Sequence, residues 1–141
     1  MKHLLIFATF CTLIIAFVGC RENKKNAFPP MDGDFVKNSA GKGTAQVWGI
    51  NFDVADPVGV SAGSHIEGTI SSDFDQSDVW NEITLGDDVK IRLEKVPGNT
   101  ITFKLNGKVL GTIEVGDIVV IDKKRNVMVN GTIRQPESTA P

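Results

Sequence analysis

Residues 89–107 read VKIRLEKVPGNTITFKLNG, and this stretch decides the fold class. Apolar and polar side chains alternate in it over two runs, at residues 89–94 and again at residues 100–105. A period of two is typical of half-buried antiparallel strands, because successive side chains in a strand point to opposite faces of the sheet. Asn106-Gly107 follows the second run, and this dipeptide favours the positive φ angles of a type I′ hairpin turn. The stretch therefore predicts antiparallel strands joined by tight turns.

The same alternation continues on both sides of this stretch, over residues 44–134. The apolar run at residues 118–121 has no alternation, which is typical of a central strand or of one buried on both faces. Alternation elsewhere predicts which faces are buried. These faces carry Trp48, Ile50, Phe52 and Val54 in one strand and Ile66, Gly68 and Ile70 in another.

Turn-forming residues separate the runs, so the pattern predicts about seven or eight strands. Only residues 79–85 are ambiguous, since Asp78 could cap a helical turn there. The fold class predicted is all-β, as a single antiparallel β-sandwich or a small barrel. The predicted turns, beside Asn106-Gly107, lie at residues 97–99, 116–117 and 123–126. The predicted bulky core residues are Trp48, Phe52, Phe74, Trp80 and Phe103.

Length and composition limit the classes of protein to which the chain can belong. A chain of 141 residues accommodates one domain, and 41% apolar with 23% charged residues is a globular composition. The formal net charge is −2, and no basic cluster is present. This charge argues against nucleic acid as a partner, because phosphate binding requires concentrated Lys and Arg.

Residues 1–19 have the features of a secretory signal peptide. Lys2 and His3 form a short basic start, and the 15 uncharged residues Leu4–Val18 follow. A helix that spans a bilayer needs roughly 20 apolar residues, so this run is short for a membrane span. The run ends at Gly19-Cys20, and the chain then becomes abruptly polar. Removal of residues 1–19 would leave Cys20 as the one cysteine, which excludes an intrachain disulfide.

The junction at Gly19-Cys20 resembles the lipobox of bacterial lipoproteins. In that family the cysteine thiol receives lipid and the chain is cut just before it. Gly19 and Cys20 match the pattern, whereas Phe17 departs from the Leu that the family prefers there. The resemblance covers residues 1–20 only. It implies a lipid bilayer partner through acylated Cys20 and a location at the bacterial cell membrane. Arg21, in place of the aspartate that often signals inner-membrane retention, favours the outer membrane facing the periplasm.

Residues 20–43 have the composition of a flexible tether, with Pro29-Pro30, several glycines and few large apolar residues. The alternative is that part of this segment packs on the domain as an extra strand, with Phe35-Val36 as the best stretch to do so. Residues 44–134 then form the β-domain. The polar, proline-bounded tail at residues 135–141 is predicted to be disordered.

Gly59-Val60-Ser61-Ala62-Gly63 matches the Gly-x-Ser-x-Gly pattern of a hydrolase nucleophile elbow. That elbow needs a helix after the serine, whereas a strand is predicted here. The motif has two interpretations. Ser61 and His65 could form a catalytic pair, or the motif could be a simple loop of small residues. No catalytic residue is predicted, because no other residue pattern in the chain completes a catalytic site with Ser61 and His65.

Two groups of residues are candidate metal ligands. His65 and Glu67 share one face of a predicted strand, but a zinc site needs at least three protein ligands. Asp73, Asp75 and Asp78 cluster in a loop, and calcium binds such carboxylates. Their spacing departs from that of a calcium loop, and turn chemistry explains the same residues. No metal or other cofactor is expected.

These observations predict a membrane-tethered lipoprotein whose β-domain is a non-catalytic module that binds a protein or assists envelope assembly. An envelope protein is the expected partner. Exposed strand edges could recruit a strand of that partner. One alternative is a carbohydrate-binding domain, which would need an exposed Trp48 or Trp80. The others are a calcium-dependent ligand-binding domain and a small hydrolase that uses Ser61.

Overall fold

The computed structural model describes residues 28–29, 31–73, 76–96 and 100–138. Eleven strands run through these residues, and the described residues contain no helix. The strands are β1 (Phe35–Ser39), β2 (Lys42–Val47), β3 (Ile50–Ala55), β4 (Ala62–Thr69), β5 (Asp78–Leu85), β6 (Val89–Lys95), β7 (Ile101–Leu105), β8 (Lys108–Ile113), β9 (Ile118–Ile121), β10 (Val127–Val129) and β11 (Thr132–Arg134).

The strands form two open sheets. The six-stranded sheet has the order β1-β2-β3-β9-β10-β11, and the five-stranded sheet has the order β4-β5-β6-β7-β8. The all-β prediction is confirmed, but seven or eight strands is wrong. Strand β1 lies in the segment that the sequence assigns to the tether, and β10 and β11, with three residues each, are too short to show a clear alternation. The prediction of purely antiparallel pairing is also wrong, since β3 and β9 are parallel. Each sheet has two edges, so the described strands do not close into a barrel.

Buried residues of both sheets form one apolar cluster, which gives the sandwich-like arrangement a single core. Phe52 of β3 meets Phe103 of β7 across it, with ring centroids 6.1 Å apart. Trp48, Phe52 and Phe103 are buried as predicted. Trp80 is a correction: Val79, Ile83 and Leu85 of β5 face the core, and a period of two places Trp80 on the opposite, outer face. Phe74 lies outside the described residues.

Tight turns at paired positive φ angles connect several of the strands. Asn106 has φ 48° and Gly107 has φ 80°, which confirms the predicted type I′ turn between β7 and β8. The Asn106 amide also holds the start of β6, because Oδ1 accepts from Lys90 N–H and Nδ2 donates to the Asp88 carbonyl, both at 2.9 Å. The turns predicted near residues 116–117 and 123–126 are present, and residues 97–99 lie outside the described chain.

The structure decides three further details of the strand prediction. The ambiguous residues 79–85 belong to β5, so Asp78 begins a strand and caps no helix. The run 118–121 is β9, and its predicted central place is confirmed, with one face buried: Val119 and Ile121 are buried, whereas Ile118 is 53% exposed. Residues 35–43, which the sequence assigns to the tether, form β1 and the start of β2.

One arginine joins the ends of the two sheets. Arg125 Nε donates to Asp88 Oδ2 at 2.9 Å, and its two terminal nitrogens donate to the carbonyl oxygens of Ala55 and Asp56 at 2.7 and 2.9 Å. Asp88 lies in the turn before β6, and its other carboxylate oxygen accepts from Val58 N–H at 2.7 Å. We call this set the Arg125 clasp. Burial alone would raise the pKa of Asp88, but the Val58 N–H and Arg125 outweigh it and hold that pKa below its ordinary value.

Candidate functional site

Strand β4 is one edge of the five-stranded sheet and pairs with β5 alone among the described strands. Gly86 N–H donates to the Ser61 carbonyl at 2.7 Å, one step beyond the Ala62–Leu85 pair of the ladder. Opposed residues in antiparallel strands alternate between bonded and non-bonded pairs. Residues 63, 65, 67 and 69 therefore bond β5, whereas residues 62, 64, 66 and 68 direct their backbone N–H and C=O groups to the open side.

Both faces of β4 are also largely exposed. The prediction of a buried face with Ile66, Gly68 and Ile70 is wrong, since Ile66 is 37% and Ile70 42% exposed. The reason is that the neighbouring core positions are small or polar. Ser64 Oγ donates to Oδ1 of the buried Asn81 at 3.0 Å, so the apolar core ends before it reaches β4.

The other three sheet edges carry protection that β4 lacks. At β8, Glu137 N–H donates to the Val109 carbonyl at 2.9 Å, so the segment after β11 covers that edge. Edge strand β11 has three residues, and β1 carries Lys37 at its centre. Strand β4 has eight residues and contains no Lys, Arg or Pro. Short strands, lysines, prolines and covering segments are the usual means by which proteins prevent edge pairing.

A groove of about 270 Å³ runs between the start of β1 and the start of β4. Phe35 lies on its rim and is 47% exposed, while Val36 packs against the core. Asp34 is half-buried in the wall of the groove. Burial raises the pKa of its carboxyl, and this effect exceeds the lowering by the Trp48 N–H, which donates to Asp34 Oδ2 at 3.4 Å. Asn38 Nδ2 donates to the Ser61 carbonyl at 3.2 Å and ties β1 to the segment before β4. The groove thus adds a pocket with a mixed polar and apolar lining beside the open backbone.

The outer face next to β4 carries an aromatic and charged cluster. The Arg92 guanidinium carbon lies 4.0 Å from the centroid of the Trp80 ring, and the His65 ring centroid is 5.4 Å away from that of Trp80. Glu94 accepts from Arg92 at 2.6 Å and from Lys104 at 2.7 Å. Burial would raise the pKa of Glu94, but Lys104 and Arg92 together lower it. The charges of this cluster are therefore paired, and Arg92 covers one face of the indole.

The predicted metal-ligand pair lies where the sequence placed it. His65 Nε2 and Glu67 Oε2 are 3.7 Å apart on one face of β4, with side chains 69% and 67% exposed. Within the described parts of the chain, no three His, Cys, Asp or Glu residues group as a metal site. Two exposed ligands fall short of the three that a zinc site requires.

The acidic loop before β5 is closed by its own hydrogen bonds. Gln76 N–H and Ser77 Oγ both donate to the Asp73 carbonyl, at 3.1 and 3.2 Å, and Ser71 N–H donates to Ser77 Oγ at 2.9 Å. Asp78 belongs to β5, and Asp75 lies outside the described residues. Turn chemistry therefore accounts for the described part of this loop.

The structure does not bring Ser61 and His65 together. Ser61 Oγ donates to Asp87 Oδ1 at 3.1 Å, and His65 lies four positions further along extended backbone, a span of roughly 13 Å. Strand β4 follows Ser61 where a nucleophile elbow requires a helix.

Cys20 and residues 1–19 lie outside the described residues. Within the described part of the chain, no helix has the length and hydrophobicity that a membrane span requires. No known protein family matches this sequence, and no curated protein or solved structure is significantly similar to it. The geometry of the described residues therefore carries the functional proposal.

Sequence reasoning found His65 and Glu67 but missed that their strand is an open edge. Two signals for it were present. Strand β4 is rich in small residues, with Gly63, Ser64 and Gly68 on a stretch that lacks a bulky apolar row. It also lacks the Lys or Pro that commonly marks a protected edge.

Proposed function

We propose that this chain is a membrane-tethered bacterial lipoprotein whose β-domain binds an envelope protein without catalysing a reaction. The partner contributes an extended segment that adds to β4 as a further strand. The observation that carries this proposal is the eight-residue edge, four of whose residues direct backbone groups to a side on which no described strand pairs with them. Strand addition of this kind supplies affinity through main-chain hydrogen bonds and specificity through pockets for alternate side chains.

The surroundings of β4 indicate the chemistry of that segment. Ile66 is an exposed apolar side chain on the core side of the edge. Phe35 is an exposed apolar side chain on the rim of the groove of about 270 Å³, which lies between β1 and β4. An apolar side chain of the partner fits there. On the outer face, Glu67 and His65 offer polar contacts to the alternate side chains. The preferred segment therefore alternates apolar and polar residues.

Photocrosslinking in intact cells tests the docking proposal. A photoreactive amino acid replaces Glu67 on β4 in one variant and Thr112 on the covered β8 edge in a control. We expect a covalent adduct with another envelope protein from position 67 and none from position 112. Ile66→Pro should abolish the adduct because the partner loses its backbone donor, whereas Ile66→Val should keep it. No adduct at position 67, or an adduct with a second copy of this chain, would contradict the proposal.

The lipid anchor is tested separately. Mass spectrometry of the mature protein should find diacylglyceryl and acyl groups on Cys20 as the first residue, and Cys20→Ser should release the protein from membranes. Several acyl chains give stable anchoring where one chain gives marginal binding. An unmodified Cys20 or an intact Met1 would overturn the anchor while leaving the β4 edge open as a docking strand.

One observation favours a second function, the binding of a glycan: Trp80 lies on the outer face, where the alternative requires an aromatic residue. Arg92 covers one face of its ring at 4.0 Å, so a sugar would have to stack on the other face. Titration with an N-acetylglucosamine oligomer distinguishes the two functions. Saturable quenching of tryptophan fluorescence that is lost in Trp80→Phe would support glycan binding.

A further inference from the structure

A groove on the side of the molecule opposite β4 lies between the β7–β8 hairpin and the end of the chain that is described. Its volume is about 280 Å³, close to the lower limit of small-molecule sites. Its buried apolar lining comes from both sheets, with Leu105 and Leu110 from one and Val127 from the other. Lys108, Arg125 and Arg134 bring three positive charges to the same groove. Gln135 and Pro136, which follow β11, form one wall.

Two of these charges form no ion pair among the described residues, although Arg134 Nη1 and Glu137 Oε1 each lie 3.6 Å from the position that a Cβ on Gly111 would take. Arg125 is committed to the Arg125 clasp through Asp88. Lys108 and Arg134 form no ion pair within the described chain, whereas Lys42, Lys90 and Lys104 elsewhere each pair with a carboxylate. Unpaired cations beside an apolar surface are the usual complement of an organic anion.

Arg134 also has a buried hydrogen-bond donor without an acceptor in the described part of the chain. Its Nε atom is buried and has no hydrogen-bond acceptor among the described residues. A buried donor without an acceptor is costly, and the great majority of buried polar atoms in proteins are paired. Arg134 is held in register at the end of β11 opposite Val127, so its backbone position beside the groove is fixed.

We infer that this groove binds a small organic carboxylate with an apolar body. The Arg134 guanidinium matches the planar carboxylate and Lys108 adds a second positive charge. The apolar body lies on Leu105, Leu110 and Val127. The inference is independent of the proposed docking at β4, because the groove shares no residue with that edge.

Isothermal titration and amide NMR on the full chain test this site with three probes. Hexanoate carries both features, acetate has the carboxylate alone, and 1-hexanol has the apolar chain alone. We expect hexanoate to bind at least about tenfold more tightly than either other probe, which corresponds to about 1.4 kcal/mol. The amide shifts should centre on Leu110 and Val127. Equal affinity for acetate and hexanoate, or shifts spread over the surface, would overturn the site.

Variants separate this site from general surface charge. Arg134→Met and Lys108→Met should each weaken hexanoate binding by about tenfold or more. Lys37→Met removes the same charge from the β1 edge and should leave the affinity unchanged. Lys108 is exposed at the start of β8, so Lys108→Met keeps the test valid if Arg134→Met impairs folding. Unchanged affinity in Lys108→Met, or an equal loss in Lys37→Met, would contradict the inference.

Discussion

The two edges of the five-stranded sheet differ in what covers them. Strand β8 accepts a hydrogen bond from Glu137, which follows β11 of the other sheet, and it begins with Lys108. Strand β4 is longer, carries no Lys, Arg or Pro, and among the described strands pairs only with β5. A stable sheet tends to conceal both of its edges, since an exposed edge invites pairing with other chains. The proposed docking of a partner strand on β4 rests on this difference.

The cores beneath the two edges differ as well. Near β8, Leu105 and Leu110 are buried and continue the core to the edge. Near β4, the inward positions carry Ser64 and the buried Asn81, whose side chains bond each other. Such a pair satisfies its polar atoms without an apolar cover, so β4 contributes little to the core. A strand that contributes little to folding is free to serve binding.

Truncation of apolar side chains should have the largest effect on stability and should sharpen this contrast. Phe103→Ala removes a fully buried ring from the core and should lower the free energy of unfolding by about 3–5 kcal/mol. Ile66→Ala on β4 should cost about 1 kcal/mol, because that side chain is already partly exposed. Denaturant unfolding followed by circular dichroism measures both. Equal losses would mean that β4 belongs to the core.

Proline substitutions at neighbouring positions of β4 should differ nearly as strongly. The His65 N–H faces β5, so His65→Pro should lose a ladder bond and cost about 3 kcal/mol. The Ile66 N–H faces the open side, so Ile66→Pro should cost about 1 kcal/mol or less. Thermal melting gives the comparison, with a difference of at least about 8 °C expected. Similar melting temperatures for the two variants would remove the basis for an open edge.

Acid should lower the stability of the fold through the Arg125 clasp. Asp88 has a pKa below its ordinary value of 3.8 in the folded chain, so folding favours its ionised form. The stabilisation is therefore present above about pH 4 and is lost as the pH falls through the folded-state pKa. Asp88→Asn should remove about 1–2 kcal/mol at pH 7 and flatten the pH dependence of stability below about pH 4. An unchanged acid profile in this variant would assign the dependence to other groups.

Loss of the bond that covers β8 should have the smallest effect. Glu137→Pro removes the N–H that donates to the Val109 carbonyl and should cost about 1 kcal/mol. Its more telling consequence is a second open edge. We expect this variant to self-associate at concentrations where the parent chain does not, as measured by sedimentation velocity. A monomeric variant would mean that Glu137 has no protective role.

The alternating pattern predicts much of this fold, and its failures have physical causes. Residues 89–105 gave β6 and β7 because one face of each is fully apolar, and Asn106-Gly107 gave the turn after them because both residues tolerate positive φ. Trp80 is predicted in the core because of its size, whereas its position in the alternating pattern of β5 places it on the outer face. In β5 it alternates with buried residues and lies on the same face as Glu82.

Other features depend on contacts between distant parts of the chain. The parallel pairing of β3 with β9 and the bond from Glu137 to Val109 join segments that no local pattern relates. The open edge also depends on distant contacts, because a strand is an edge when no other strand pairs with its second side. The local sequence indicates the open edge only through composition, since β4 is rich in small residues and lacks Lys and Pro.

The central claim is that alternate backbone groups of β4 are free to bond a partner strand, and amide hydrogen exchange on the intact monomer tests it most directly. The account predicts fast exchange at Ser64 and Ile66 and slow exchange at His65 and Glu67, with rates at least about tenfold apart. Glu137, bonded to β8, should be protected. Equal protection at all four β4 amides would show that this edge is already covered and would contradict the account.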